Sequence, residues 1–168
     1  MSVYFFDTSA LVKRYAPENG IKWVQSLTDP AVGNLIYIAR ITGAEVIAAI
    51  RRKVRDRETI EADAKKSIAN FRLDFATQYQ IVEITDAVVG RAMTLIENHI
   101  LRGYDGVQLA AAMEINDQLL AIGMPVAGVP ALTIVSADKE INTAAGVEHL
   151  LVEDPESQKN LHPDDKTP

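Results

Sequence analysis

Cysteine is absent from the 168 residues of this chain, which excludes both a disulfide framework and a thiolate metal site. No apolar stretch approaches the roughly 20 residues that a membrane-spanning helix needs, so no membrane partner is expected. The opening apolar run stops after four positions and has no basic segment before it, unlike a secretory signal. We therefore expect a protein of the reducing cytoplasm.

Positive charge is also scarce. Lysine and arginine together number 17 against 23 acidic residues, a formal net charge of -6, so the chain does not hold nucleic acid by a general basic surface. If RNA is the substrate, bound cations and a local basic patch must attract it. The three histidines, His99, His149 and His162, form no metal-ligand pattern, and no glycine-rich phosphate loop follows a strand.

Short apolar runs alternate with helical patterns along the chain. Five runs predict strands, at Val3–Phe6, Leu35–Ala39, Ile81–Ile84, Leu132–Val135 and His149–Val152. The alternation indicates an α/β domain with a largely parallel sheet of about five strands and helices on both faces. We expect one domain over residues 1–153. The segment 154–168 is polar and contains three prolines, which predicts a disordered tail.

Four carboxylates occupy equivalent places in this pattern, each at a strand end or in the first turn of an apolar helix. They are Asp7, Glu45, Asp105 and Asp138. Asp105 is expected to open an apolar helix over Val107–Ile122, after Gly103 has ended the preceding helix near Leu101. Because the carboxyl ends of parallel strands meet at one edge of a sheet, the four side chains are expected to converge there.

Each acid also has a purely structural interpretation. Thr42 and Glu45 match a T-x-x-E capping box, and Asp105 could be a plain helix N-cap. Asp138 could be a first-turn acid that complements the helix dipole, and Asp7 could cap the turn that follows it. Any one of these is common, and it is the equivalence of all four positions that favours a site.

Four converging carboxylates would repel one another and raise one another's pKa unless cations were bound among them. Oxygen ligands without His or Cys select Mg²⁺, or Mn²⁺ as a substitute. Such ions lower the pKa of water and neutralise the leaving oxygen of a phosphodiester. The acids therefore predict a metal-dependent nuclease.

The same residues carry a family resemblance. The motifs are Tyr-Phe-Phe-Asp-Thr-Ser-Ala-Leu-Val-Lys-Arg-Tyr at 4–15, Thr-Gly-Ala-Glu-Val at 42–46, Leu-Arg-Gly-Tyr-Asp-Gly-Val-Gln-Leu-Ala-Ala-Ala at 101–112 and Val-Ser-Ala-Asp-Lys-Glu-Ile-Asn-Thr-Ala-Ala at 135–145. Over about residues 3–154 the chain resembles the PIN-domain family, and within it the VapC toxins of type II toxin–antitoxin pairs. The resemblance implies a three-layer α/β/α fold and a Mg²⁺-dependent endoribonuclease with a cognate antitoxin, assembled as a homodimer or a toxin–antitoxin hetero-oligomer.

The resemblance also implies residue roles. The four acids would form the catalytic and metal-binding quartet, with Asp7 and Asp105 as direct ligands, and Ser9 and Ser136 would support the site. Gly106 is a departure, since relatives commonly carry Ala there, and we expect it to loosen the helix start without removing a ligand.

A basic cluster on the later turns of the Glu45 helix includes three possible RNA contacts, Arg51, Arg52 and Arg55. The helix dipole favours cations at a C-terminus in any case, so a solvated helix end remains an alternative. A phosphatase of the haloacid dehalogenase type would need a second Asp where Ser9 stands. The alternative function is a non-catalytic PIN-like module that binds RNA or protein.

Overall fold

The computed structural model describes residues 2–16, 19–124 and 131–158. In this part of the chain five strands form one sheet: β1 (Val3–Phe6), β2 (Leu35–Ala39), β3 (Gln80–Val82), β4 (Thr133–Val135) and β5 (Leu151–Glu153). The same residues form seven α-helices: α1 (Thr8–Leu11), α2 (Ile21–Leu27), α3 (Thr42–Arg55), α4 (Glu61–Thr77), α5 (Asp86–Asn98), α6 (Gly103–Ala121) and α7 (Lys139–Val147). Two 3₁₀ turns lie at Val12–Arg14 and Pro30–Val32.

The sheet is entirely parallel, in the order β3-β2-β1-β4-β5. Strand β1 is central, and its Tyr4 is in register with Ile36 of β2 on one side and Thr133 of β4 on the other. The chain moves outward from β1 through β2 to β3 and then returns to β4 on the opposite side. This reversal of strand order opens a crevice at the carboxyl ends of β1 and β4, where α/β proteins bind their ligands.

Alternate residues of β1 face opposite layers of helices. Phe5 packs in a cluster with residues of α5, α6 and α7, whereas Phe6 packs in a second cluster with residues of α1, α2, α3 and α4. Both side chains are fully buried, and burial of a phenylalanine stabilises the fold by about 1.5–3 kcal/mol. The predicted three-layer α/β/α fold with a parallel sheet is therefore confirmed.

Helix α6 lies at the centre of its layer and packs closely on α5. A Cβ atom added at Gly106 would lie 2.6 Å from Cγ1 of Ile96 on α5, so the missing side chain lets the two helices approach. Helix α6 begins at Gly103 and runs through Gly106, and the expectation that Gly106 loosens the helix start stays a prediction. Gly103 accordingly starts a helix, and α5 ends earlier, at Asn98.

The segment predicted to be a tail begins with an ordered turn. Residues 154–158 follow β5, and Pro155 within them is buried. Residues 159–168, and residues 125–130 of the predicted loop before β4, lie outside the described part of the chain. The division into a domain at 1–153 and a tail stays a prediction. No helix in the described ranges is both long and apolar enough to cross a bilayer.

Candidate acidic active site

All four predicted carboxylates line one cleft of about 610 Å³ at the carboxyl edge of the sheet. Asp7 directly follows β1, Glu45 lies in the first turn of α3, and Asp105 lies in the first turn of α6. Asp138 precedes α7. Four segments that are far apart in the sequence thus bring one acid each to the crevice between β1 and β4.

Asp7 is buried, with only 3% of its surface exposed. It is the N-cap of α1, and its Oδ1 accepts hydrogen bonds from Ser9 Oγ at 2.8 Å and from the backbone N–H of Ala10 at 3.1 Å. Burial raises the pKa of Asp7 to about 7, against the opposing effect of hydrogen bonds from Ser9, Ala10 and Ser136. Near neutral pH the isolated carboxyl group therefore divides between its protonated and ionised forms.

The two serines predicted to support the site connect its first and last acids. Ser9 Oγ accepts the N–H of Ala137 at 2.8 Å and lies 3.4 Å from Ser136 Oγ. Ser136 Oγ in turn accepts the N–H of Asp138 at 3.0 Å. Both hydroxyls thus hold the chain after β4 against the chain after β1.

Glu45 does not form the capping box that its sequence suggested, so that interpretation is wrong. Its Oε2 accepts hydrogen bonds from Thr8 Oγ1 at 2.6 Å and from Gln108 Nε2 at 2.7 Å. Thr42 is buried and its hydroxyl interacts with Gln108 instead. Tertiary contacts with α6 have replaced the local cap, and they fix Glu45 at the cleft.

Asp105 is a first-turn residue of α6 and not its N-cap, so the plain N-cap interpretation is also wrong. Its Oδ2 accepts the N–H of Arg102 at 3.3 Å, which explains why the helix starts before Asp105. Desolvation raises the pKa of Asp105, with a further contribution from the negative charge of Asp138 and a smaller one from Glu45. Asp138 and Glu45 therefore both lie close enough to Asp105 to act on its carboxyl group electrostatically.

Asp138 caps α7, since its Oδ1 accepts the N–H groups of Glu140 at 2.9 Å and Ile141 at 3.0 Å. Asp7 is thus a cap and a cleft residue at once, as both of its interpretations required. Asp138 is also a cleft residue, but it is the N-cap of α7 and not the first-turn acid that its sequence suggested, so that structural interpretation is wrong. The physical cause of the raised pKa values differs from the expected one. Burial is the largest cause for both Asp7 and Asp105, and repulsion between carboxylates is a smaller cause that acts on Asp105.

The carboxylate oxygens at the cleft are the kind of ligand that a hard divalent cation prefers. Glu45, Asp105 and Asp138 each use one carboxylate oxygen in the hydrogen bonds above, and the second oxygen of each makes none with the described residues. Within those residues, no three acidic or histidine side chains stand close enough to hold one ion. Mg²⁺ keeps several of its waters and needs only one or two carboxylates, so this spacing is compatible with an ion bound partly through water.

The predicted RNA contacts separate in the structure. Arg52 lines the acidic cleft. Arg51 Nη1 lies 2.8 Å from both carboxylate oxygens of Glu61, and Arg55 Nε lies 2.9 Å from Asp56 Oδ1. Of the three arginines, Arg52 is thus the one placed beside the acids.

Sequence reasoning missed two residues that position Glu45. Thr8 lies next to Asp7 and was passed over, although it is a hydroxyl residue at a strand end. Gln108 is a buried polar residue within the apolar stretch Val107–Ala112 of α6, about one turn after Asp105, and a polar residue among apolar neighbours was a usable signal.

The fold and the site together define an α/β/α protein with an acidic cleft at the switch point of a parallel sheet. No family model matches the chain. It is 29% identical over 145 residues to ribonuclease VapC45 of Mycobacterium tuberculosis strain CDC 1551 / Oshkosh, covering 86% of this chain and 90% of the relative. Ribonuclease VapC49 of M. tuberculosis strain H37Rv matches with the same identity and coverage.

Two solved structures have the same fold. VapBC2 of Rickettsia felis, bound to a DNA fragment from its promoter, aligns with a TM-score of 0.57 and 14% identity, over 90% of this chain and 98% of the other. A toxin–antitoxin complex from Klebsiella pneumoniae aligns with a TM-score of 0.57 and 21% identity, over 90% and 97%. The resemblance to VapC-type ribonucleases of the PIN-domain class is confirmed by the sequence relatives, and the solved structures support the fold.

Proposed function

We propose that this chain is a metal-dependent endoribonuclease that acts as the toxin of a type II toxin–antitoxin pair. One observation carries the proposal: four acids from separate parts of the chain line a single cleft at the switch point of the sheet. The sequence relatives are named ribonucleases, and an acidic, cation-binding cleft is the arrangement that phosphodiester hydrolysis needs.

Asp7, Glu45, Asp105 and Asp138 would hold Mg²⁺, or Mn²⁺ in its place, with Asp7 and Asp105 as direct ligands. When bound, the cation would lower the pKa of the attacking water and stabilise the charge on the leaving oxygen. The protein's own contribution is orientation. Thr8 and Gln108 hold Glu45 through one oxygen, and Ser9 holds Asp7 in the same way.

Substrate choice follows from charge. A protein with a net charge of -6 has little general affinity for polyanions, so cleavage should be selective for a few RNAs. Single-stranded loops expose their backbone in more conformations than a duplex, and loops should be the sites of cutting. Arg52 at the cleft offers a cation to the RNA backbone.

A cognate antitoxin is the proposed protein partner. The solved structures that share the fold are toxin–antitoxin assemblies. An acidic cleft with apolar helices on its flanks would accept an antitoxin segment that inserts a basic side chain and packs apolar residues around it. Co-expression with the neighbouring gene should therefore yield a complex with depressed nuclease activity, whereas full activity in the purified complex would contradict occlusion.

The test of the activity is end-labelled transfer, ribosomal and messenger RNA incubated with Mg²⁺, with and without chelator. The parent should cut at discrete positions only with metal, and Asp7→Asn should not cut. Asp29→Asn is the matched control, because Asp29 is an exposed capping residue outside the cleft. If no cut requires both metal and Asp7, the enzyme proposal fails and the non-catalytic binding module takes its place.

A further inference from the structure

An exposed aromatic residue lies beside the acidic cleft. Tyr104 lines the cleft and directly precedes Asp105 in the first turn of α6. It is 60% exposed, and its side chain makes no hydrogen bond or aromatic ring contact with the other described residues. Much of the surface of the ring is therefore available to a ligand.

Tyr104 also lines a second cavity, of about 440 Å³, that adjoins the cleft. Three residues line both spaces: Glu45, Tyr104 and Asp105. The second cavity is completed by Arg102, Gly103 and Val107. Its volume falls within the roughly 300–1,000 Å³ of small-molecule sites, which leaves room for a group of the size of a nucleobase. Such a group would lie directly beside two of the proposed metal-binding carboxylates.

The charge of the second cavity favours a neutral group. Among the described residues, its lining contains two carboxylates, Glu45 and Asp105, and one cation, Arg102, so a phosphate there would be repelled more than it is attracted. A nucleobase is uncharged and has a flat π face, and bases stack on exposed aromatic side chains in proteins that bind single strands. The base is therefore the part of an RNA strand that this cavity suits.

We propose that Tyr104 stacks against the base of a nucleotide that flanks the scissile phosphate, and that the second cavity receives this base. The phosphate lies at the acids, and the base, which is joined to it through one ribose, turns away from them onto the ring. An unpaired base can turn in this way at little cost, whereas a base in a duplex must first be unpaired and unstacked. The stacking therefore selects single-stranded RNA. This inference rests on the proposed function.

The test is the binding of labelled single-stranded RNA with Mg²⁺ in the Asp7→Asn background, in which no cleavage is expected. Tyr104→Ala removes the ring and should weaken binding by about 5- to 150-fold, the loss that corresponds to one stacked base. Tyr104→Phe keeps the ring and should retain most of the affinity. Ile122→Ala is the matched control, because Ile122 is 72% exposed at the other end of α6 and lines neither space; it should leave binding unchanged.

A set of RNAs in which each base in turn is replaced by an abasic ribose identifies the stacked base. At one position the abasic RNA should bind weakly to the Asp7→Asn protein, and Tyr104→Ala should cause no further loss with that RNA. Because stacking involves no charge, Tyr104→Ala should also leave the slope of log K against log salt unchanged. Loss of a phosphate contact would instead make that slope shallower by about 0.7.

Any of four results would overturn the proposal: the Asp7→Asn protein binds no RNA, Tyr104→Ala binds as tightly as its background, Tyr104→Phe loses as much affinity as Tyr104→Ala, or no abasic position is coupled to Tyr104. Cleavage of RNA by the parent with Mg²⁺, assayed in parallel, separates the two proposals. If the parent cuts RNA and one of these results is found, the nuclease proposal stands and the stacking proposal fails. If Tyr104 is coupled to one base and the parent does not cut, the nuclease proposal fails instead.

Discussion

Replacing Asp7 by Asn should make the metal-free protein more stable at alkaline pH. The parent must keep a buried carboxyl group whose pKa is raised to about 7, well above the roughly 3.9 of an unfolded chain. A raised folded-state pKa means that the folded protein binds the proton more tightly than the unfolded chain does. The parent therefore loses stability as pH rises from about 4 through 7, and the variant, which has no proton to lose at this site, does not.

The magnitude follows from the two pKa values. Each pKa unit corresponds to about 1.4 kcal/mol, so ionisation of Asp7 costs the fold about 4 kcal/mol once the pH is well above 7. At pH 5 the same linkage gives a cost of only about 1.5 kcal/mol, and the difference between pH 5 and pH 8 is about 2.5 kcal/mol. An amide N–H donor of Asn that is left without a hydrogen-bond acceptor at this buried position lowers the unfolding free energy of the variant by about 1–3 kcal/mol. This cost is the same at every pH, so it does not change the pH dependence.

The assay is urea unfolding of parent and variant at pH 5, 6, 7 and 8 in chelator, with Asp29→Asn as a control at an exposed cap. The difference in unfolding free energy between Asp7→Asn and the parent should grow by about 2.5 kcal/mol in favour of the variant across this range. The unfolding free energy of the control should change with pH in the same way as that of the parent. If the difference stays constant, or turns against the variant as pH rises, then burial does not raise the pKa of the Asp7 carboxyl group.

Three further outcomes are expected. Mg²⁺ should raise the melting temperature of the parent by mass action but not that of the Asp7→Asn, Asp105→Asn double variant; an equal response would place the ion elsewhere. Gly106→Ala should lower the unfolding free energy by about 1–3 kcal/mol through its clash with Ile96, measured in urea, and Ile96→Val should recover part of it. Gln108→Met should lower the ribonuclease rate more than about tenfold by freeing Glu45; a rate within about twofold of the parent's would show that this bond is dispensable.

The fold was predictable because its signals are local and periodic. Continuous apolar runs such as Val3–Phe6 indicate strands covered on both faces, and Phe5 and Phe6 do face opposite layers. The position of Asp7 at the end of such a run places it at the carboxyl edge of the sheet without further information. The equivalent positions of four acids therefore predicted that the cleft is lined by carboxylates, although the sequence could not show the distances between them.

Local patterns failed where a distant contact competes with them. The T-x-x-E pattern at Thr42 and Glu45 is a valid capping signal, but Gln108, which lies 63 residues beyond Glu45, bonds to both side chains. Asp105 looked like an N-cap because its helix was expected to start after it. Its bond to Arg102 extends the first turn upstream instead.

The turn at Glu156 shows the same limit in a polar segment. Composition rules treat a polar, proline-containing end as disordered because it cannot bury enough apolar surface. A single proline needs little apolar surface if the fold already has a place for it. Gly20, which lies more than 130 residues earlier in the chain, provides that place for Pro155. No local rule connects the two positions, since the contact depends on the αL glycine at the start of α2. Order in a polar segment is therefore decided by the surface it meets, and here that surface sets Glu156, one of the seven carboxylates among the described residues that line the cleft, beside Lys13.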